Sequence, residues 1–269
     1  AFATAGRSRR LSGKLRRRLP SPVLHEAELG LAVLRTAWSR QAPRVVVDFS
    51  TPDVRVEFAT GKKTWAAGTW EYELSVAGQT LPRVAEWRSN CWTSDKHGDF
   101  LELQGDLDAA TRLERQFYLS KSDGFLLVAD CLSTSHPGPI RYVGRLPLAA
   151  EAQTHFADDA CEVQLLLDRP LAQVLPLALP EWKADRRRGA LTALGQALAQ
   201  HLPEEAGHRL GGLEHHVADE AVADHHVDRA LEDVVAFDVA VVVQLAVRAT
   251  LHTLILPRLD PIHSELGSN

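Results

Sequence analysis

The sequence predicts a mainly β protein, an antiparallel β-sandwich or supersandwich with a flanking N-terminal helix and a helical or disordered C-terminal tail. Three observations carry this. Between residues 43 and 182, apolar and polar residues alternate with period two in short segments separated by turn residues, the pattern of strands with one wet face. Ahead of that region, Ser21-Pro22 offers a cap and a first-turn proline, Glu26 and Glu28 suit the positive end of a helix dipole, and Pro43 supplies a stop. Behind it the composition shifts to Val, Ala, Asp, Glu and His with no clean period.

In chain order, residues 1–20 hold Arg7, Arg9, Arg10, Lys14, Arg16, Arg17 and Arg18 with few apolar neighbours, and read as a solvated basic linker. Residues 21–42 read as a helix whose apolar side chains Leu24, Leu31, Val33, Leu34 and Trp38 dock on the next unit. Residues 43–182 form the β-domain. Val54-Arg55-Val56-Glu57-Phe58 and Glu71-Tyr72-Glu73-Leu74-Ser75-Val76 alternate cleanly, whereas Phe125-Leu126-Leu127-Val128-Ala129 is apolar on both faces and belongs at the centre of a sheet. Ser122-Asp123-Gly124 and His136-Pro137-Gly138-Pro139 lie at hairpin spacing. Residues 183–269 read as the tail, with a helix over 186–200 and order ending between about 180 and 205. In 217–246 its four dominant residue types are all encoded by codons beginning with G, as an out-of-frame reading of a GC-rich gene would produce. A genuine acidic helical tail is the competing reading.

Composition excludes several function classes. With 45% apolar and 24% charged residues the 269-residue chain is expected to be globular. Cys91, Cys131 and Cys161 form no C-x-x-C pair and are too few for a disulfide framework. The apolar run 234–247 is too short for a bilayer span, so no membrane partner is expected. A net charge of −5 puts no basic domain behind the arginine run, which argues against a nucleic-acid partner. The chain contains no methionine and starts at Ala1, so it is expected to be a piece of something longer. No dinucleotide, phosphate-loop, H-E-x-x-H or G-x-S-x-G fingerprint occurs, and no cofactor is expected. The doublets His215-His216 and His225-His226 suggest a metal until geometry is applied: in a straight helix positions 215 and 226 stand about 16 Å apart, beyond the reach of one zinc ion.

Trp65, Trp70, Tyr72, Trp87 and Trp92 cluster in a chain that is only 6% aromatic. Flat rings on a sheet stack on sugar faces, which makes Trp65, Trp70, Trp87, Trp92 and the nearby His97 the carbohydrate-binding candidates. Core packing is the competing role. Trp87 and Trp92 are five apart and would face opposite sides of a regular strand, so one of them is expected inside. His97 and Asp99 could form an acid–base pair, against which stands a plain solvated turn.

Two stretches carry a resemblance. They are Glu86-Trp87-Arg88-Ser89-Asn90-Cys91-Trp92-Thr93-Ser94-Asp95 followed by 98–103, and Leu113-Glu114-Arg115-Gln116-Phe117-Tyr118-Leu119 leading into 123–130. Together they resemble the C-terminal β-sheet domain of heparinase II/III-like proteins over about residues 22–180. The resemblance implies an α-helical toroid ahead of a layered antiparallel β-domain, with polysaccharide elimination in active members. There a base takes the proton beside a uronic carboxylate, and a Tyr or His serves the leaving oxygen. The implied partners are a polysaccharide and a helical domain of the same protein. The 21–42 helix would be the last of the toroid, most catalytic groups would lie outside this chain, and the catalytic residues stay unassigned. A purely structural interaction domain is the alternative.

One contact follows from the alternation alone. Leu113, Arg115, Phe117 and Leu119 share a strand face, as do Leu126, Val128, Asp130 and Leu132. A hairpin centred on Ser122-Asp123 sets Arg115 directly opposite Asp130, and one centred on Asp123-Gly124 sets them diagonally. A buried ion pair of structural role is expected.

Overall fold

The structure is a computed structural model, and it describes residues 19–179, 189–201 and 240–249. Among them every paired strand is antiparallel, in three sheets. The first is a meander of β1 (Leu24–Glu26), β2 (Leu31–Arg35), β3 (Pro43–Asp48), β4 (Arg55–Thr60) and β5 (Lys63–Thr69). The chain then enters the third sheet through β6 (Glu71–Val76) and β7 (Gln79–Thr80). The second sheet holds eight strands. It runs from edge strand β8 (Arg88–Ser94) through β9 (Gly98–Asp108), β10 (Thr111–Ser120) and β11 (Phe125–Thr134).

After β11 the chain adds β12 (Ile140–Pro147) beside β6, then returns to the second sheet as β13 (Gln153–Phe156), β14 (Val163–Leu166) and β15 (Pro170–Pro176). The hairpin of β16 (Ala190–Leu194) and β17 (Ala197–His201) completes the third sheet against β12. Strand β18 (Ala240–Ala249) lies between β11 and β15.

The mainly β, antiparallel class agrees with the sequence, while the expected β-sandwich or supersandwich takes the form of three antiparallel sheets and is not a plain sandwich. A single residue, Trp70, separates β5 from β6, so one continuous run feeds two sheets. The sheets are tied together by bonds that cross between them. His25 of β1 meets Ser89 of β8, and the Arg35 amide donates to Asp99 of β9. The Ala149 amide reaches the Trp65 carbonyl, and Tyr142 of β12 donates to Asp130 of β11. The buried faces of these strands, including Val47, Phe58, Leu74, Leu103, Phe117, Val128 and Leu146, form one apolar core.

The expected helix over 21–42 does not form. Its place is taken by β1, a 3₁₀ turn at Ala27–Leu29 and β2. In β2 the residues Ala32 and Leu34 are buried while Leu31, Val33 and Arg35 are half-buried, a period of two. Gly30 decides the matter, since its φ of 62° breaks a helix and it lies so close to the next connection that a Cβ would stand 2.5 Å from the Ser50 Cα. Local helix signals lose to pairing with β3, because register with a buried strand outweighs cap propensity.

The tail expectation is also corrected where residues are described. Leu191 to Gln200 make a hairpin with Gly195 at φ 57°, not a helix, and 240–249 form a strand. The basic run 1–18, the histidine doublets, and the remainder of the Val/Ala/Asp/Glu-rich stretch lie outside the described residues.

Candidate functional site

The β10–β11 hairpin adopts the register centred on Ser122 and Asp123, with Arg115 opposite Asp130. Both side chains are 1% exposed. The guanidinium donates from Nε to Asp130 Oδ1 at 2.7 Å and from Nη2 to Oδ2 at 2.8 Å, a two-pronged fork, while Nη1 donates to the Trp70 carbonyl at 2.8 Å. Tyr142 donates its hydroxyl to Asp130 Oδ2. Burial pushes the Tyr142 pKa well up, so it stays a donor. Burial opposes the charge on Arg115, but Asp130 outweighs it and the pKa is raised.

Aromatic rings close over this pair. The guanidinium carbon sits 4.0 Å from the Trp70 ring centre and 5.2 Å from that of Trp87. Trp70 meets Phe117 edge-on at 5.6 Å, and the Trp87 indole N–H donates to the Pro52 carbonyl at 2.9 Å. Trp65 packs on Phe58. Trp65, Trp70 and Trp87 are 4%, 3% and 5% exposed, so of the candidate sugar platforms these three have their ring faces committed to the core. Trp70 and Trp87 serve the buried ion pair, a role that sequence reading did not assign to them.

Trp92 differs. It lies on edge strand β8, only partly buried, where it rims the core. His25 stacks on it at 4.8 Å and 12°, and His25 Nε2 lies 2.8 Å from Ser89 Oγ. Burial lowers the His25 pKa, with Glu26 offsetting only part of the shift, so the ring is neutral near pH 7.

His97 is exposed in the β8–β9 turn, where its amide donates to Asp95 Oδ1 at 2.7 Å and its carbonyl receives the Lys121 amide. These turn bonds, first that from Gly98, hold the Asp95 pKa down. The proposed His97–Asp99 acid–base pair does not form. Asp99 is fully buried and accepts from Ser94 Oγ at 2.7 Å, Lys121 Nζ at 2.6 Å and the Arg35 amide at 3.3 Å, which pins the turn to the first sheet.

Among the described residues no group of three or more His, Cys, Asp or Glu is placed to hold a metal, and no helix is long and apolar enough to cross a membrane.

No family model and no curated protein matches this chain. Solved structures do. The heparan sulfate lyase HepC from Pedobacter heparinus superposes with a TM-score of 0.54 at 12% identity, over 84% of this chain and 36% of that one. A mutant of HepC gives 0.52 at 13% identity, over 82% and 35%. The chain therefore shares the fold of part of a heparinase-like polysaccharide lyase and spans about a third of the lyase's length.

Proposed function

We propose that this chain is a carbohydrate-associated β-domain of a heparinase-like polysaccharide lyase or of an inactive relative, working beside a helical domain that supplies the elimination chemistry. The shared fold over 84% of the chain carries the reading, since the likeness falls on a protein that acts on heparan sulfate. With three of the tryptophans in the core, the sugar contacts in this reading fall to Trp92 and His97, at and beside the edge strand β8. Trp92 offers a ring edge rimmed by His25, and His97 an exposed ring able to donate to a hydroxyl or acidic group.

The test is affinity electrophoresis through gels cast with heparan sulfate and with neutral glycans. Retardation by at least one polymer, reduced in Trp92→Ala and His97→Ala, is the expected result. Unchanged mobility in every gel would refute the reading.

The burial of Trp65, Trp70 and Trp87 favours the second reading, an interaction domain whose aromatics hold sheets together and which touches no sugar. Under that reading no gel retards the protein.

A further inference from the structure

One end of the first sheet is cationic in a chain whose net charge is −5. Segments 35–44 and 60–63, the β2–β3 connection and the β4–β5 turn with their flanking residues, hold Arg35, Arg40, Arg44, Lys62 and Lys63 and no carboxylate. The two segments touch: a Cβ at Gly61 would stand 2.8 Å from Gln41 Oε1 and 3.3 Å from the Arg40 carbonyl oxygen. Arg44 is neutralised by Glu57 and Lys63 by Asp168. Arg40 and Lys62 are exposed and form no ion pair among the described residues.

Among these cations stands Trp38. It is 44% exposed, whereas Trp65, Trp70 and Trp87 lie in the core. A large ring left in water forgoes the stabilisation that burial would give it. The ring is also held in place. Its indole N–H donates to the Pro20 carbonyl at 2.7 Å, the Arg35 guanidinium carbon lies 4.8 Å from the ring centre, and Arg35 Nη2 donates to the Ser39 carbonyl at 3.1 Å. Trp38 is thus fixed at its edge and on one face before any ligand arrives, which keeps the ordering cost of binding small.

This platform adjoins the turn that carries His97. The Arg35 amide donates to Asp99, which Lys121 also holds, and the Lys121 amide donates to the His97 carbonyl. The end of β2 and the start of β9 therefore meet, and the loop with Trp38 and the turn with Lys96 and His97 leave from one point. Lys96 adds an exposed cation, while Asp95, the acid of that turn, accepts from the His97 and Gly98 amides.

The combination narrows the ligand. A neutral glycan would use the indole and leave the cations idle, and a polyanion without rings would do the reverse. A sugar chain bearing carboxylate or sulfate groups uses both, its apolar face on the ring and its charges on Arg40 and Lys62. Nucleic-acid grooves string several rings along the strand, and this end presents one.

We propose that the β2–β3 connection and the β4–β5 turn form a binding site for an acidic polysaccharide, with Trp38 as the stacking platform and Arg40 and Lys62 as partners of its carboxylate or sulfate groups. This rests on the reading of the chain as a carbohydrate-associated domain and adds to it a site apart from the Trp92 edge.

The experiment is isothermal titration of the full chain with a heparan sulfate hexasaccharide, a hyaluronan hexasaccharide, cellohexaose and a single-stranded DNA decamer. At least one acidic hexasaccharide should bind more tightly than cellohexaose and the decamer, and more weakly as salt rises. Trp38→Ala should weaken that binding about tenfold, the loss of one ring contact, and Trp38→Phe, which keeps a ring, should weaken it less. Arg40→Ala combined with Lys62→Ala should weaken it about fivefold and flatten its salt dependence. Arg141→Ala, which removes an exposed cation from the third sheet, should bind as wild type. If wild type binds an acidic hexasaccharide and the Trp38 and Arg40/Lys62 variants bind it equally well, the site is elsewhere and the inference is overturned. Binding of cellohexaose alone also overturns it while leaving the carbohydrate reading standing. Equal affinity for the decamer, lost in the same variants, assigns this end to polyanions in general and overturns the sugar assignment. No binding to any of the three glycans overturns both the inference and the carbohydrate reading.

Discussion

Asp130→Ala is predicted to be among the most costly single substitutions in this chain. The substitution removes both carboxylate oxygens that hold Arg115 Nε and Nη2, and also the acceptor of the Tyr142 hydroxyl. What remains is a guanidinium 1% exposed, with one hydrogen bond to the Trp70 carbonyl and aromatic faces around it. An uncompensated buried charge costs about 3–5 kcal/mol, and the orphaned tyrosine hydroxyl adds about 1 kcal/mol or more. Part of the ion's cost is offset by the Trp70 and Trp87 rings. The net expectation is a loss of about 4 kcal/mol. Urea unfolding followed by tryptophan fluorescence should show a midpoint lower by about 2 M, for a slope of roughly 2 kcal/mol/M. Replacing both partners with apolar residues, Arg115→Met with Asp130→Leu, should cost far less than the sum of the two single substitutions, because no charge is left stranded. Arg115→Lys should behave like a broken pair, since an ammonium cannot present the fork to Asp130 and also reach the Trp70 carbonyl. Additive single and double substitutions, or a loss below about 1 kcal/mol for Asp130→Ala, would refute the account of this pair.

Three further outcomes can be checked by unfolding. Glu114→Gln should stabilise the protein near neutral pH: its folded pKa is raised, so wild-type stability is full below about pH 4.5, where both states are protonated, and falls as pH rises above that, and the gain from Gln should vanish in acid. His25→Gln should narrow the acid sensitivity of wild type. The folded His25 pKa is lowered, so the wild-type chain loses stability as pH falls through about 6.5, where the unfolded state takes up a proton first, and paired pH titrations of melting should show that slope removed. Gly30→Ala should destabilise by about 1–3 kcal/mol through its left-handed backbone, with the approach to Ser50 adding to it, and a melting temperature equal to wild type would contradict the conformation given to this turn.

Where alternation is strict, sequence and structure agree in detail. The Arg115–Asp130 contact was legible because a single cation and a single acid each stood in an otherwise apolar strand face, and only two hairpin registers were open. The segment 21–42 was not legible, because its cap-like Ser21-Pro22 and acidic residues are local signals, whereas its strands exist through pairing with β3 and through Gly30 meeting Ser50, contacts that no local window contains. Strand β18 was hidden by composition, since a run of Val and Ala has no period to read and its pairing with β11 and β15 is distant in sequence. The tryptophans show a different limit. Residue type announces a ring, but whether it faces sugar or core depends on which side of the strand the next sheet covers, and for Trp65, Trp70 and Trp87 it covers theirs. The polar outer rows of β9 and β10 were written as ordinary alternation, and only register shows that Glu102, Gln116 and Asn90 meet.

The most direct test of the central claim is saturation-transfer NMR of the wild-type chain against heparan sulfate and neutral oligosaccharides. The account predicts transfer to the sugar protons of at least one of them, competed away by an excess of the same glycan. Absence of transfer to every glycan, from a protein whose unfolding transition shows it to be folded, would contradict a carbohydrate-associated role and leave the sheets as structural alone.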